Sequence, residues 1–119
     1  MEKCYLDYDA GEVEINADVI AAYAGACAIE CFGIVGMASL NVADGMIRLL
    51  RKDNLSRGIT VKISDNKLFI EMHIIVAYGL NIVSITQNLV ENVRYKVEKF
   101  TGFPIEKITV LVEGVRVID

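Results

Sequence analysis

The segment Ala17 to Cys31 constrains this chain more than any other. It reads as a helix that is apolar nearly all round. Val19, Ile20, Tyr23, Cys27, Ala28 and Cys31 fall on one face, and Ala21, Ala22, Gly25, Ala26 and Ile29 on the other. Asn16 is the expected N-cap, Asp18 suits the positive end of the helix dipole, and Gly33 ends the segment. A helix with no polar face has to be covered on more than one side. A sheet covers only one. The stripe Ala21, Ala22, Gly25, Ala26 and Ile29 is therefore expected to be a self-association face, because monomers rarely leave such a patch in water and small residues let a symmetric partner approach closely. The alternative within one chain is that Met37 to Ile47 folds over the stripe.

The chain is short enough to make that cover scarce. Its 119 residues suit one domain over 1–119, and the 54% hydrophobic content exceeds what a disordered chain carries. Around the helix, Val13 and Ile15 alternate with Glu12 and Glu14 as a short strand, and Gly33 to Ser39 reads as another. Val42 to Arg51 is expected as a short helix. Ile59, Val61 and Ile63 alternate with polar residues, Asp65-Asn66 supplies a turn, and Leu68, Ile70, Met72, Ile74 and Val76 continue the apolar face of a hairpin. Asn81 opens a second helix carrying Ile82, Ile85, Leu89, Val93, Val97 and Phe100 at helical spacing, with Arg94, Lys96 and Lys99 toward its C-terminus. Gly102-Phe103-Pro104 breaks it, and Ile108, Val110 and Val112 form the last strand. The order predicts an α+β fold of two layers, a mixed β-sheet with two main helices on one face. The other face is expected to be polar, with Glu14, Thr60, Lys62, Glu71, His73, Thr109 and Glu113.

Charge and termini narrow the function classes. A formal charge of −4 and a pI near 5.0 argue against a general nucleic-acid binder. The start Met1-Glu2-Lys3-Cys4 has neither the basic nor the apolar region of a secretory signal. Glu30 splits the apolar stretch Val19 to Ala43 into runs shorter than the roughly 18–20 residues that span a membrane. Three Cys is an odd count, suited to reduced cytosolic thiols. A cytoplasmic location is therefore expected.

No constellation of catalytic residues stands out. Cys4, Cys27, Cys31 and His73 lack zinc-site spacing, and Cys27 and Cys31 sit among Ala and Ile, so no metal and no cofactor is expected. His73 and Glu71 share a strand face, the least favoured of three readings being an enzyme built on them. Gly33-Ile34-Val35-Gly36 has GxxG spacing, but its apolar middle pair suits a helix cap and a strand glycine better than a nucleic-acid clamp. Arg48, Arg51, Lys52 and Arg57 form the one local basic cluster, a candidate contact for an acidic partner or for anionic lipid headgroups in peripheral membrane association.

Several segments in order carry a family resemblance. These are Gly11-Glu12-Val13-Glu14-Ile15, Gly33-Ile34-Val35-Gly36-Met37-Ala38, Leu50-Arg51-Lys52-Asp53-Asn54 with Ser56-Arg57-Gly58, Ile74-Ile75-Val76-Ala77-Tyr78-Gly79 and Val112-Glu113-Gly114-Val115-Arg116-Val117. Together they resemble the alkaline-shock-protein, or envelope stress response, family of Gram-positive bacteria, over nearly the whole chain. The chain is most similar to the compact members encoded beside a fatty-acid kinase. The resemblance implies a non-enzymatic cytoplasmic interaction protein linked to cell-envelope homeostasis. It implies self-association, a protein partner near the envelope, with the kinase a candidate, and no catalytic residues. The alternative expectation is an accessory or regulator of acyl metabolism, which needs an enclosed apolar pocket.

Overall fold

The computed structural model describes residues 3–41, 46–49 and 57–117. Along the chain run β1 (Lys3–Tyr8), β2 (Gly11–Asn16), α1 (Ala17–Ile29), β3 (Ile34–Asn41), β4 (Met46–Leu49), β5 (Ile59–Ser64), β6 (Lys67–Ala77), α2 (Ile82–Thr101) and β7 (Ile105–Arg116). This is the α+β class expected. Two helices lie over a five-stranded mixed sheet, and β1 and β2 form a separate antiparallel ribbon.

The sheet is built around β6. Its 11 residues run from Lys67 to Ala77, and alternate side chains are buried up to Ile74, after which every residue is. Such a strand has both faces covered toward its end. β5 pairs antiparallel with the first half, joined by a turn in which Asp65 and Asn66 adopt φ of 52° and 57°. Asn and Asp tolerate that left-handed backbone, and two such residues make the tight turn whose twist matches the strands. β3 pairs antiparallel with the second half, and β7 pairs parallel with the full length. Because β7 engages the same β6 residues as β5 and β3, those two lie on the opposite side of β6, and β7 forms an edge. The β6–α2–β7 crossover returns the chain to a parallel neighbour over one face of the sheet.

α2 follows its sequence pattern closely. Asn81 accepts a hydrogen bond from the Ser84 N–H at 3.0 Å, and Gly102 caps the other end at φ 79°. Ile85, Leu89, Val93, Val97 and Thr101 form one buried stripe. The buried Thr101 hydroxyl donates to the Val97 carbonyl at 2.8 Å and accepts from the Phe103 N–H at 3.1 Å, so the helix end carries no orphaned polar atom there.

Three sequence expectations change. Val42 to Arg51 is not a helix where it is described: Met46–Leu49 is a strand antiparallel to β3, with Ala38 opposite Leu49 and Asn41 opposite Met46. A short apolar run reads equally as helix or strand, and the open edge of β3 decides it by supplying hydrogen-bond partners. Glu14 does not belong to the main sheet; it sits in the ribbon, ion-paired with Lys3 at 3.1 Å. Lys3 to Tyr8, left unassigned by pattern, forms β1, and its Cys4 is fully buried in the core.

Candidate functional site

The stripe on α1 divides in two. Ala21 and Gly25 are buried, Ala22 and Ala26 are exposed, and Ile29 is half-buried. The helix packs against β3 and β5 of the sheet and against α2 of its own chain, so a second helix covers part of what the sheet leaves open. Val19, on the other apolar face of the helix, is exposed, whereas Ile20, Cys27 and Ala28 of that face are buried. Tyr23 and Phe100 stack across the two helices with ring centroids 4.1 Å apart, and Lys96 reaches Glu30 at 3.3 Å beside them. The Lys96–Glu30 hydrogen bond raises the ammonium above its ordinary value.

Of the basic cluster, Arg57 is exposed, and Arg48 lies in β4 opposite Ser39 by register. Arg51 and Lys52 lie outside the described residues.

His73 sits between two carboxylates. Its Nε2 is 3.8 Å from Glu71 and its Nδ1 3.6 Å from Glu113. Glu71 is two residues away on the same face, as the strand period requires. Glu113 arrives by a different device. β7 carries one extra residue between the pairs Ile74↔Val112 and Ile75↔Gly114, and that residue is Glu113. A bulge re-aims the side chain it inserts. Among the described residues no three His, Cys, Asp or Glu side chains converge as metal ligands.

The thiols are shielded. Cys4 and Cys27 are buried and Cys31 half-buried, with its Sγ donating to the Cys27 carbonyl at 3.5 Å. Burial pushes all three above the ordinary thiol value of 9.0.

A group of exposed apolar side chains lies at one end of the molecule, where β6 and β7 finish and α2 begins. The Ala77 N–H donates to the Gly33 carbonyl at 2.9 Å, and the Tyr78 N–H to the Arg116 carbonyl at 2.8 Å. Those bonds bring the α1–β3 turn and the two strand ends together. Phe32 is 70% exposed, Tyr78 71%, Val83 62% and Val117 75%. Phe32 shares a shallow hollow with Leu80, Asn81, Ser84 and Asn88. Four large apolar side chains mostly in water within one region are unusual for a free surface. Pattern reading missed this rim because Phe32, Tyr78 and Val117 fall outside the regular elements and Val83 falls off the buried stripe of α2. The available signal was the pairing of an aromatic with a turn glycine, Phe32-Gly33 and Tyr78-Gly79.

A second apolar hollow runs between α2 and β7, lined by Ile82, Thr86, Val90, Ile108, Val110 and Val112 with Gln87 and Glu91 at its border. It opens along the sheet edge, unlike the enclosed pocket an acyl chain requires. No described helix is long and apolar enough to cross a membrane.

Residues 6–117 match the family model for alkaline shock protein 23, described as having a cell envelope-related function. The chain is 42% identical over 110 residues to YloU of Bacillus subtilis, an uncharacterized protein, covering 92% of each. It is 34% identical over 109 residues to the uncharacterized Spy1614 of Streptococcus pyogenes, covering 91% of this chain and 90% of that one. It is 29% identical over 110 residues to the uncharacterized YqhY of Bacillus subtilis, covering 92% and 81%. No solved structure matches. With the family model spanning nearly all of it, this chain belongs to the alkaline shock protein 23 family, whose function is related to the cell envelope.

Proposed function

We propose that this protein is a non-enzymatic interaction module on the cytoplasmic side of the envelope, which docks a protein partner and associates with itself. One observation carries the docking half: the apolar rim of Phe32, Tyr78, Val83 and Val117 at the sheet end. Aromatic anchors ringed by polar groups are what a protein partner buries most effectively. Asn81, Ser84 and Asn88 supply that polar border. The basic residues Arg48, Arg51, Lys52 and Arg57 form a second contact in this reading, for acidic groups on the partner.

The test is photo-crosslinking in cells from a probe placed at Asn88, comparing wild type with Phe32→Ser/Tyr78→Ser. The wild type is expected to capture a defined protein, and the double variant to lose it while keeping its circular dichroism spectrum and unfolding midpoint. An acyl kinase among the captured proteins would identify the partner that the resemblance suggests. Capture unchanged by the double substitution would remove the rim from the reading.

A further inference from the structure

β7 is the longest strand of the sheet, 12 residues, and among the described residues it pairs with β6 alone. Its outer edge is closed only at the start. The Ile105 N–H donates to Glu98 at 2.7 Å, and Arg94 donates to the Ile105 carbonyl at 2.6 Å. Two α2 side chains thus stand in for a neighbouring strand at that one residue. Beyond it the edge runs on, and long edges of this kind invite another strand.

The two faces of β7 differ. Toward the helices it presents Ile108, Val110 and Val112, which line the open hollow beneath α2. On the other face Lys107 is exposed, and Glu113, re-aimed by the bulge, lies near His73. The strand therefore has a cation toward one end, an anion toward the other, and between them four apolar residues and Thr109. That arrangement is complementary to its own reverse. Laid antiparallel on a second β7 with Val110 at the two-fold axis, Lys107 stands opposite the partner's Glu113 and Ile108 opposite the partner's Val112. Cross-strand neighbours of opposite charge and of matched apolar character are the pairs that stabilise a sheet.

We infer that the β7 edge is the self-association surface of this protein, the occupant being a second copy paired antiparallel about Val110 so that the two sheets become one. This rests on the self-association half of the proposed function and replaces the α1 stripe as its location. The second copy brings its own Ile82, Val90 and Val112 against the open hollow, closing on both copies the groove that α2 leaves uncovered. Two-fold symmetry is the simplest closure, since one patch serves both subunits.

Sedimentation of the full chain across a wide concentration range, at low and at high salt, tests this. Wild type is expected to dimerise. Lys107→Glu alone and Glu113→Lys alone each put two like-charge pairs into the dimer, and each should weaken it about tenfold at low salt. The double variant restores opposite charges and should recover most of the affinity. Val110→Cys should form a disulfide-linked dimer under mild oxidation. Wild type should not link through this edge, because Cys4 and Cys27 are buried and the half-buried Cys31 lies on the α1 side, away from β7; a Cys31→Ser background removes it from the comparison. A wild type that stays monomeric at several hundred micromolar overturns the inference together with the self-association reading. A dimer indifferent to both charge reversals, with Val110→Cys unlinked, overturns the β7 edge and leaves self-association standing elsewhere.

Discussion

Among the described residues every resolved titration shift is upward, and all of these shifts lower stability in alkali. Burial raises Cys4, Cys27 and Cys31 above 9.0. Burial, then the neighbouring Cys27, raises Tyr23 above 10.0. Lys3 rises through its hydrogen bond to Glu14, and Lys96 through its bond to Glu30. A thiol or phenol that holds its proton longer when folded binds more protons than the unfolded chain does above its ordinary value, so stability falls as pH rises past that value. For the two lysines the pairing contributes fully below 10.5 and is lost as pH climbs through the raised folded value. The urea midpoint is therefore expected to be flat near neutrality and to fall as pH passes 9 and continues upward. The same burial keeps thiolate scarce at neutral pH, so native Cys4 and Cys27 should react with a thiol reagent only on opening, while denaturant exposes all three cysteines. Native Cys4 or Cys27 reacting at the free rate would contradict the burial of this core.

Among the elements, the glycine turns separate backbone strain from crowding. Gly33 and Gly102 both sit in left-handed backbone, at φ 84° and 79°. A Cβ at Gly33 would lie 2.6 Å from Ile85 Cδ1 and Cγ1, whereas one at Gly102 meets nothing within 4 Å. Ile85 is buried in the first turn of α2 and has little freedom to withdraw. Gly102→Ala should cost about 1–2 kcal/mol from the left-handed conformation alone. Gly33→Ala adds overpacking to that, for a total of about 2–4 kcal/mol. Equal losses from the two substitutions, measured by urea unfolding, would mean that the Gly33–Ile85 approach is not a close one. This contact also explains why the α1–β3 turn is held against α2, which leaves Phe32 pointing into water at the rim.

At the scale of the whole molecule, one strand and one helix organise the core. β6 touches β3, β5 and β7, and α2 packs its stripe over that sheet. Leu89 is fully buried at the middle of the stripe. Leu89→Ala should lower stability by about 2–5 kcal/mol, because the close-packed surroundings relax only partly around the lost atoms. With the sheet and both helices sharing this core, far-ultraviolet dichroism and tyrosine fluorescence should report midpoints that coincide with each other, in the variant at its lowered stability as in wild type. Separated midpoints would show that the β1–β2 ribbon or the β4 edge unfolds independently. The molecule measures 53 × 32 × 21 Å, long for its mass. That shape gives it a long sheet edge and a distinct end, the two surfaces assigned to self-association and to docking.

Local pattern was enough for the parts whose energetics are local. The period of α2, its Asn81 and Gly102 caps and the Asp65-Asn66 turn follow from side-chain spacing and backbone preference. The α+β class follows from the order of those periods, and the family from short segments quoted in order. Where the partner lies far along the chain, local pattern had nothing to read. Met46–Leu49 is a strand because β3 offers an edge, and Ala21 and Gly25 are buried because α2 and β5 close on α1. Alternation puts His73 and Glu113 on one face, but only the register of β7 on β6 decides that they meet. The rim and the free β7 edge likewise exist only once distant segments are brought together. Burial and hydrogen bonding are properties of neighbours in space, and a single sequence specifies neighbours in space only through the fold as a whole.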